Sequence, residues 1–322
     1  MTAYIIRRLL QMIPLLLGVT FLTFAIINLI PGSPVQRLRD NPKIRPEAAI
    51  ELEKQLGLDK PWPERYVHWL GDLLHGNLGV SLYNRLPVAD RIWSVIPNTL
   101  LLAVVSLFFA LIVAVPLGVY AAVRHRSLFD HFATVSGVAM YAIPDVWLSL
   151  VLVWIFALKA KDLGLPSLPV GGMVDPRGGG DLLDRLQHMI LPVIALSLAQ
   201  IGGWSAIIRS SMLEVLTNDF VRTAKSKGLP DRVVYYIHAF KPAFITLLTL
   251  VGLALPGLIG GAIIIETIFA WPGMGRLTFE AIGRRDYTMI MATTLMFAAL
   301  TMISNLLTDV TYVLLDPRIR LQ

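Results

Sequence analysis

The chain has 322 residues, of which 55% are hydrophobic and 16% charged, with a formal net charge of +6. A soluble domain carries about 25% charged residues, so this composition and a mean hydropathy of +0.66 describe a membrane protein. The absence of cysteine excludes disulfides, thiolate nucleophiles and cysteine-ligated metals, and basic loops on one membrane face account for the positive charge without nucleic acid.

A helix needs about 20 mostly apolar residues to cross the hydrocarbon core. Six stretches meet that length: Leu9–Ile30, Thr99–Val123, Phe132–Leu158, Met189–Ile208, Ala243–Ala270 and Tyr287–Leu315. The first follows Arg7 and Arg8, is too long for a signal-peptide core, and reads as a retained span. In the long loop Pro31–Pro97, the stretch Pro46–Gly57 has helical apolar spacing with a glycine stop, and Gly76–Leu82 is rich in turn residues. Gly171–Gly180 reads as a flexible loop between the third and fourth spans. Asn28, Asn98 and Asp145 lie beside Pro31, Pro97 and Pro144, where helices end, and are expected to act as caps and turns.

Lys and Arg placement sets the orientation. Arg7 and Arg8, Arg124 and Arg126, the stretch Arg209 to Lys241, and Arg318 and Arg320 fall on one side, predicted to be cytoplasmic along with both termini. Across the membrane, Lys159–Gln187 offsets its basic residues with Asp162, Asp175, Asp181 and Asp184. The expected divisions are a tail and first span (1–31), an extracytoplasmic loop (32–97), a core of five spans (98–315) and a cytoplasmic tail (316–322).

Within the core, the polar insert Asn218–Arg232 is predicted to lie in the cytoplasm, in a helix–turn–helix at about 213–240. Leu213, Leu216, Phe220 and Ala224 recur at helical spacing. Gly228 suits the left-handed position that ends a helix, and Pro230 the first turn of the next, where Val233, Val234, Ile237 and Phe240 form a second stripe. Two readings of this elbow stand on local pattern: an interfacial tether whose basic residues meet anionic membrane lipid, or a docking surface for a soluble partner.

Ionisable residues inside spans are functional candidates. Glu266 follows Gly260 and Gly261, which permit close helix approach; it is a gate or pathway residue, or a carboxylate pairing with Arg276 or Arg284. Asn305 and Asp309 share one face of the last span, where Asp309 can pair with Arg318 or a basic residue of the insert. The dipeptide Gly-Lys never occurs, so the Walker phosphate cradle is missing, as are the H-E-x-x-H zinc motif and any metal-ligand spacing among the six histidines. These absences argue against an intramembrane enzyme. The scarcity of mid-span ionisable residues argues against a stand-alone secondary transporter.

Arg222-Thr-Ala-Lys-Ser-Lys-Gly228 resembles the E-A-A-x-x-x-G loop of permease subunits of bacterial ABC importers. Val221 to Leu229 is closer still to its version in the dipeptide/oligopeptide permease family, where Arg222 and Thr223 replace the general Glu and Ala; His238-Ala-Phe-Lys-Pro-Ala243 stands where the general pattern has I-x-L-P. Arg7–Pro14, Ile30–Pro34, Leu56–Pro61, Gly76–Ser81, Glu266–Gly275, Asn305–Asp309 and Leu315–Arg320 resemble successive segments of the B-type subunit of that family. The resemblance implies an all-α, six-span type I permease in the inner membrane, with a long extracytoplasmic loop after its first span and a cytoplasmic coupling helix between spans four and five. It implies a homologous second permease, ABC ATPase subunits carrying ATP and Mg, an extracytoplasmic substrate-binding protein and a peptide substrate, with no cofactor and no catalysis in this chain. It assigns ATPase coupling to Asp219, Phe220, Arg222, Thr223, Ala224, Lys225, Lys227 and Gly228. The family also handles haem, nickel chelates and glutathione-like cargo.

Overall fold

The structure, a computed structural model, describes residues 2–29, 59–177 and 180–315. All ten principal elements among them are helices: α1 (Thr2–Leu29), α2 (Trp62–Leu74), α3 (Val88–Val123), α4 (Leu128–Ala142), α5 (Asp145–Val153), α6 (Leu182–Leu216), α7 (Asp219–Ser226), α8 (Phe240–Ile268), α9 (Met274–Arg284) and α10 (Tyr287–Leu315). α5 continues through a π-helical stretch, Trp154–Lys159, to Asp162, and a second π-helical stretch, Val234–Ala239, leads into α8. The helix expected over Pro46–Gly57, the segment Ile30–Pro34 and the tail after Leu315 lie outside the described residues.

Five of the six expected spans overlap one helix each, and the third overlaps two. Among the described residues, four helices are long and apolar enough to cross a membrane (Tyr4–Leu29, Val88–Val123, Leu182–Leu216 and Tyr287–Val310), and the pair Leu128–Ala142 and Asp145–Asp162 makes a fifth if its two arms are one span. That pair corrects the continuous third span: its arms bend by 100°. Pro144 lacks a donor and drives Ile143 to extended backbone (φ −74°, ψ 124°), which ends the helix there. At Pro97 the opposite correction holds. α3 starts at Val88 and runs through this proline, so Asn98 is a helix-interior residue and no cap.

The chain divides into two units, Met1–Pro97 with Gly273–Met302, and Asn98–Pro272 with Ile303–Gln322. In the first, α2 packs on α1 through Tyr66, whose ring meets Phe21 and Phe24 and whose hydroxyl lies 3.0 Å from Thr20 Oγ1. Arg65 donates to Asn28 across the same contact. The turn-rich segment after α2 is held by Asp286, which accepts from the Ser81 hydroxyl, from Leu82 N at 3.0 Å and from Met289 N at 3.2 Å.

In the second unit α6 is the central helix. A Cβ on Gly202 would lie 2.3 Å from the Gly137 carbonyl of α4, and one on Gly118 of α3 would lie 2.6 Å from the Ser205 carbonyl of α6. Glycine at these points lets backbones touch, the packing mode available where apolar lipid removes the hydrophobic drive between helices. The expected flexible loop at 171–180 is partly tied: Gly172 N donates to the Phe269 carbonyl at 3.0 Å, and Asp184 accepts from Asp175 N and Gly180 N, both at 2.9 Å.

Candidate functional site

The polar insert is a short helix clamped between two longer ones. The helix expected from Leu213 through Ala224 is interrupted: α6 ends at Leu216, Thr217 and Asn218 break it, and α7 begins at Asp219. Thr217 returns its hydroxyl to the Glu214 carbonyl at 2.7 Å, a local bond that competes with helix continuation. Leu213 and Leu216 therefore belong to α6. Pro230 also departs from expectation, standing just before the turn Asp231–Val233 at its cap position.

α7 has two unlike faces. Val221 and Ala224, three residues apart, are 2% and 8% exposed and join a core with Met212 and Val215 of α6, Val234 and Ala239 of the π-helical stretch, and Ala243 of α8. Burying a side chain the size of valine stabilises by roughly 1.5–3 kcal/mol, which seats this helix although it is too short to be stable alone. Asp219, Phe220, Arg222, Thr223, Lys225 and Lys227 are exposed. Thr223 donates to the Asp219 carbonyl at 2.9 Å. Lys225 donates to the Tyr235 hydroxyl at 3.0 Å and lies 3.9 Å from Asp231; the Tyr235 bond raises its pKa above the ordinary lysine range. Both contacts fasten α7 to the segment that follows.

The turn between them is a Schellman motif. Gly228 has φ +75°, its N–H donates to the Lys225 carbonyl at 2.9 Å, and Leu229 N donates to the Ala224 carbonyl at 3.4 Å. The elbow is thus a fixed angle whose inner face is anchored and whose outer face offers one aromatic and several cations. No group of three or more His, Asp or Glu among the described residues could hold a metal.

Glu266 is elsewhere, near the end of α8, and is fully buried. It accepts the Thr99 hydroxyl of α3 at 2.6 Å. Around it, Trp271 N donates to the Glu266 carbonyl at 2.8 Å, Trp271 Nε1 to the Asn98 carbonyl at 3.0 Å, and Asn98 Nδ2 to the Pro272 carbonyl at 2.7 Å. Glu266 and Asn98 therefore stitch α3 to the end of α8. On α9, Arg276 and Arg284 each reach Glu280, at 2.8 and 3.4 Å. A Cβ on Gly260 would meet nothing within 4 Å among the described residues, and the surroundings of Gly261 lie outside them. A close approach occurs at Gly252, where a Cβ would lie 2.1 Å from Thr308 Cγ2.

Asn305 is exposed and Asp309 half-buried on α10. The residue between them missed by sequence is Thr308, whose hydroxyl is 3.0 Å from the Gly252 carbonyl. Threonine inside an apolar run carries no signal of its partner. Thr99 was hidden in the same way.

The geometry can be set beside known proteins. The family model described as "Binding-protein-dependent transport system inner membrane component" matches residues 114–321, and the model of the N-terminal region of such membrane components matches residues 1–103. The chain belongs to the binding-protein-dependent transport system inner membrane component family. It is a multi-pass membrane protein.

Members of this family resemble it along their whole length. The oligopeptide transport system permease protein AppB of Bacillus subtilis is 38% identical over 320 residues, with 99% of each chain covered. The dipeptide transport system permease protein DppB of Alkalihalophilus pseudofirmus is 40% identical over 338 residues, covering 99% of this chain and all of the relative. DppB of Escherichia coli is 37% identical over 336 residues with 99% of each covered. A chain of the inward-facing MetNI methionine ABC transporter shares the fold, with a TM-score of 0.53 at 15% identity over 71% of this chain and 96% of that one. The inner-membrane-component match contains α7, Gly228, Glu266 and Thr308 within one family region.

Proposed function

We propose that this chain is the permease subunit of an ATP-driven importer of dipeptides or oligopeptides, forming half of the translocation pathway. The observation that carries the reading is α7: a helix anchored through Val221 and Ala224, ended by a rigid turn at Gly228, that turns Phe220, Arg222, Thr223, Lys225 and Lys227 outward. Such an element conveys displacement and performs no chemistry. Full-length likeness to peptide permeases supplies the cargo class.

In this reading the chain has six spans, with both termini and α7 in the cytoplasm and the 32–97 loop on the other side. A separate ATPase, holding ATP and Mg, closes on its nucleotide and pulls α7; α6 and α8 then tilt relative to a second, homologous permease. The importer alternates between two states that nucleotide and loaded binding protein populate differently. Catalysis resides in the ATPase. Asp219, Phe220, Arg222, Thr223, Lys225 and Lys227 form the coupling surface, which buried Ala224 and the Gly228 turn hold in place. Glu266, through the α3–α8 joint it makes with Thr99, and Asn305 and Asp309 belong to the pathway or gate.

Purification of the chain from its native membrane in mild detergent tests this. A stoichiometric ATPase and a second permease should co-purify, and vesicles should take up dipeptide only with ATP and a binding protein. Peptide uptake by the chain alone, driven by a proton or sodium gradient, would replace the reading with a secondary transporter.

A further inference from the structure

A charge cluster around a buried carboxylate in the second unit has no part in the sites above. Asp130, in the first turn of α4, has 2% of its side chain exposed and is gripped by two guanidinium nitrogens of Arg209 on α6: Nε donates to Oδ1, and Nη2 to Oδ2 at 2.8 Å. The same carboxylate accepts Arg126 N at 2.9 Å, and His125 Nδ1 lies 3.3 Å from Oδ2. Arg126 is in the left-handed region at φ 63°, a conformation that costs a non-glycine residue energy and that this bond holds. Ser127 caps α4 by accepting Asp130 N at 3.2 Å. One carboxylate thus fixes the α3–α4 turn and ties it to α6.

Two other contacts already join these helices, at Gly137 with Gly202 and at Gly118 with Ser205. Backbone contacts at glycine bring helices close but tolerate rotation of one about its axis. A bidentate guanidinium–carboxylate pair does not, because its planar fork accepts one orientation. Desolvation cancels much of the stability a buried pair brings, so the consequence of this one is geometric. Arg209 lies on α6 just ahead of Met212 and Val215, which share a core with Val221 and Ala224. The rotation of α6 determines where α7 points.

We propose that Asp130 and Arg209 are positioning residues that lock α6 to the α3–α4 turn, so that displacement of α7 moves α3, α4 and α6 as one body. The proposal rests on the importer reading. Its test uses the complete complex in vesicles, reading peptide uptake and ATP hydrolysis together, with Arg209→Lys, Arg209→Met, Asp130→Asn and the double variant Asp130→Asn/Arg209→Met.

Each single variant should assemble and hydrolyse ATP within about two-fold of the parent while uptake per ATP falls by about ten-fold, the scale on which residues modulate coupling between sites. Lysine should fail as methionine does, because it keeps the charge and loses the fork. The double variant should lose no more than the worse single one. Unchanged uptake per ATP, a parallel fall of uptake and hydrolysis, or losses that multiply in the double variant would each overturn the lock. Failure of both Arg209→Lys and Asp130→Asn to assemble would make the pair a folding determinant and overturn it equally. A parent complex without ATP-dependent uptake would strike the importer reading itself, before any variant is compared.

Discussion

At Gly228 the obstacle to substitution is the backbone alone, since a Cβ there would meet nothing within 4 Å while φ is +75°. A β-branched residue in that conformation costs roughly 1–2 kcal/mol and relaxes by reopening the turn. Gly228→Val is therefore expected to reduce peptide uptake in reconstituted vesicles while ATP hydrolysis continues, and Gly228→Asn, which tolerates the left-handed region, to retain uptake. Equal uptake by valine and asparagine variants would dismiss the turn as a rigid part. Gly228 is legible in sequence because the demand on it is local: a polar helix ends, and a proline follows two residues later. Asp286 is not legible, because the Ser81 hydroxyl it accepts lies 205 residues away. Asp130 was equally silent, an acidic residue in a first turn whose partner Arg209 sits in another helix.

Elements follow the same division. The breaks at Pro144 and after Leu216 are set by residues beside them. The choice of helix neighbours is not. α4 lies on α6 because both present glycine at one level, and one of the two glycines is crowded from several sides: a Cβ on Gly202 would stand 2.3 Å from the Gly137 carbonyl and 3.1 Å from Met140 Cβ and Tyr141 N. Alanine favours a helix interior over glycine by about 1 kcal/mol, so propensity alone predicts that Gly202→Ala stabilises. The contact predicts the reverse, a lower melting temperature in detergent, because two backbones must separate. Gly257→Ala on α8, with nothing within 4 Å, is the control and should match or exceed the parent. Indistinguishable melting of the two variants would show that the glycine contact does not hold α4 to α6.

For the whole molecule the expected orientation has a direct readout, since the chain contains no cysteine and single replacements stand on a clean background. Lys227→Cys, on the exposed end of α7, should react with a membrane-impermeant maleimide only from the cytoplasmic side. Arg177→Cys, in the exposed loop before α6, should react only from the other. Labelling of both from one side would remove the proposed topology and, with it, any docking of an ATPase on α7.

Composition and apolar run length were enough for a multi-pass helical chain, and local residue pattern for an elbow at about 213–240, because burial in lipid and helix ends are properties of each segment taken singly. The polar residues inside the helices were settled otherwise. Glu266 meets Thr99, Thr308 meets Gly252, and Asp130 meets Arg209 only once separate helices have docked. A hydrogen bond or ion pair needs its two groups within about 3 Å, and only tertiary packing brings residues so far apart in the chain to that distance.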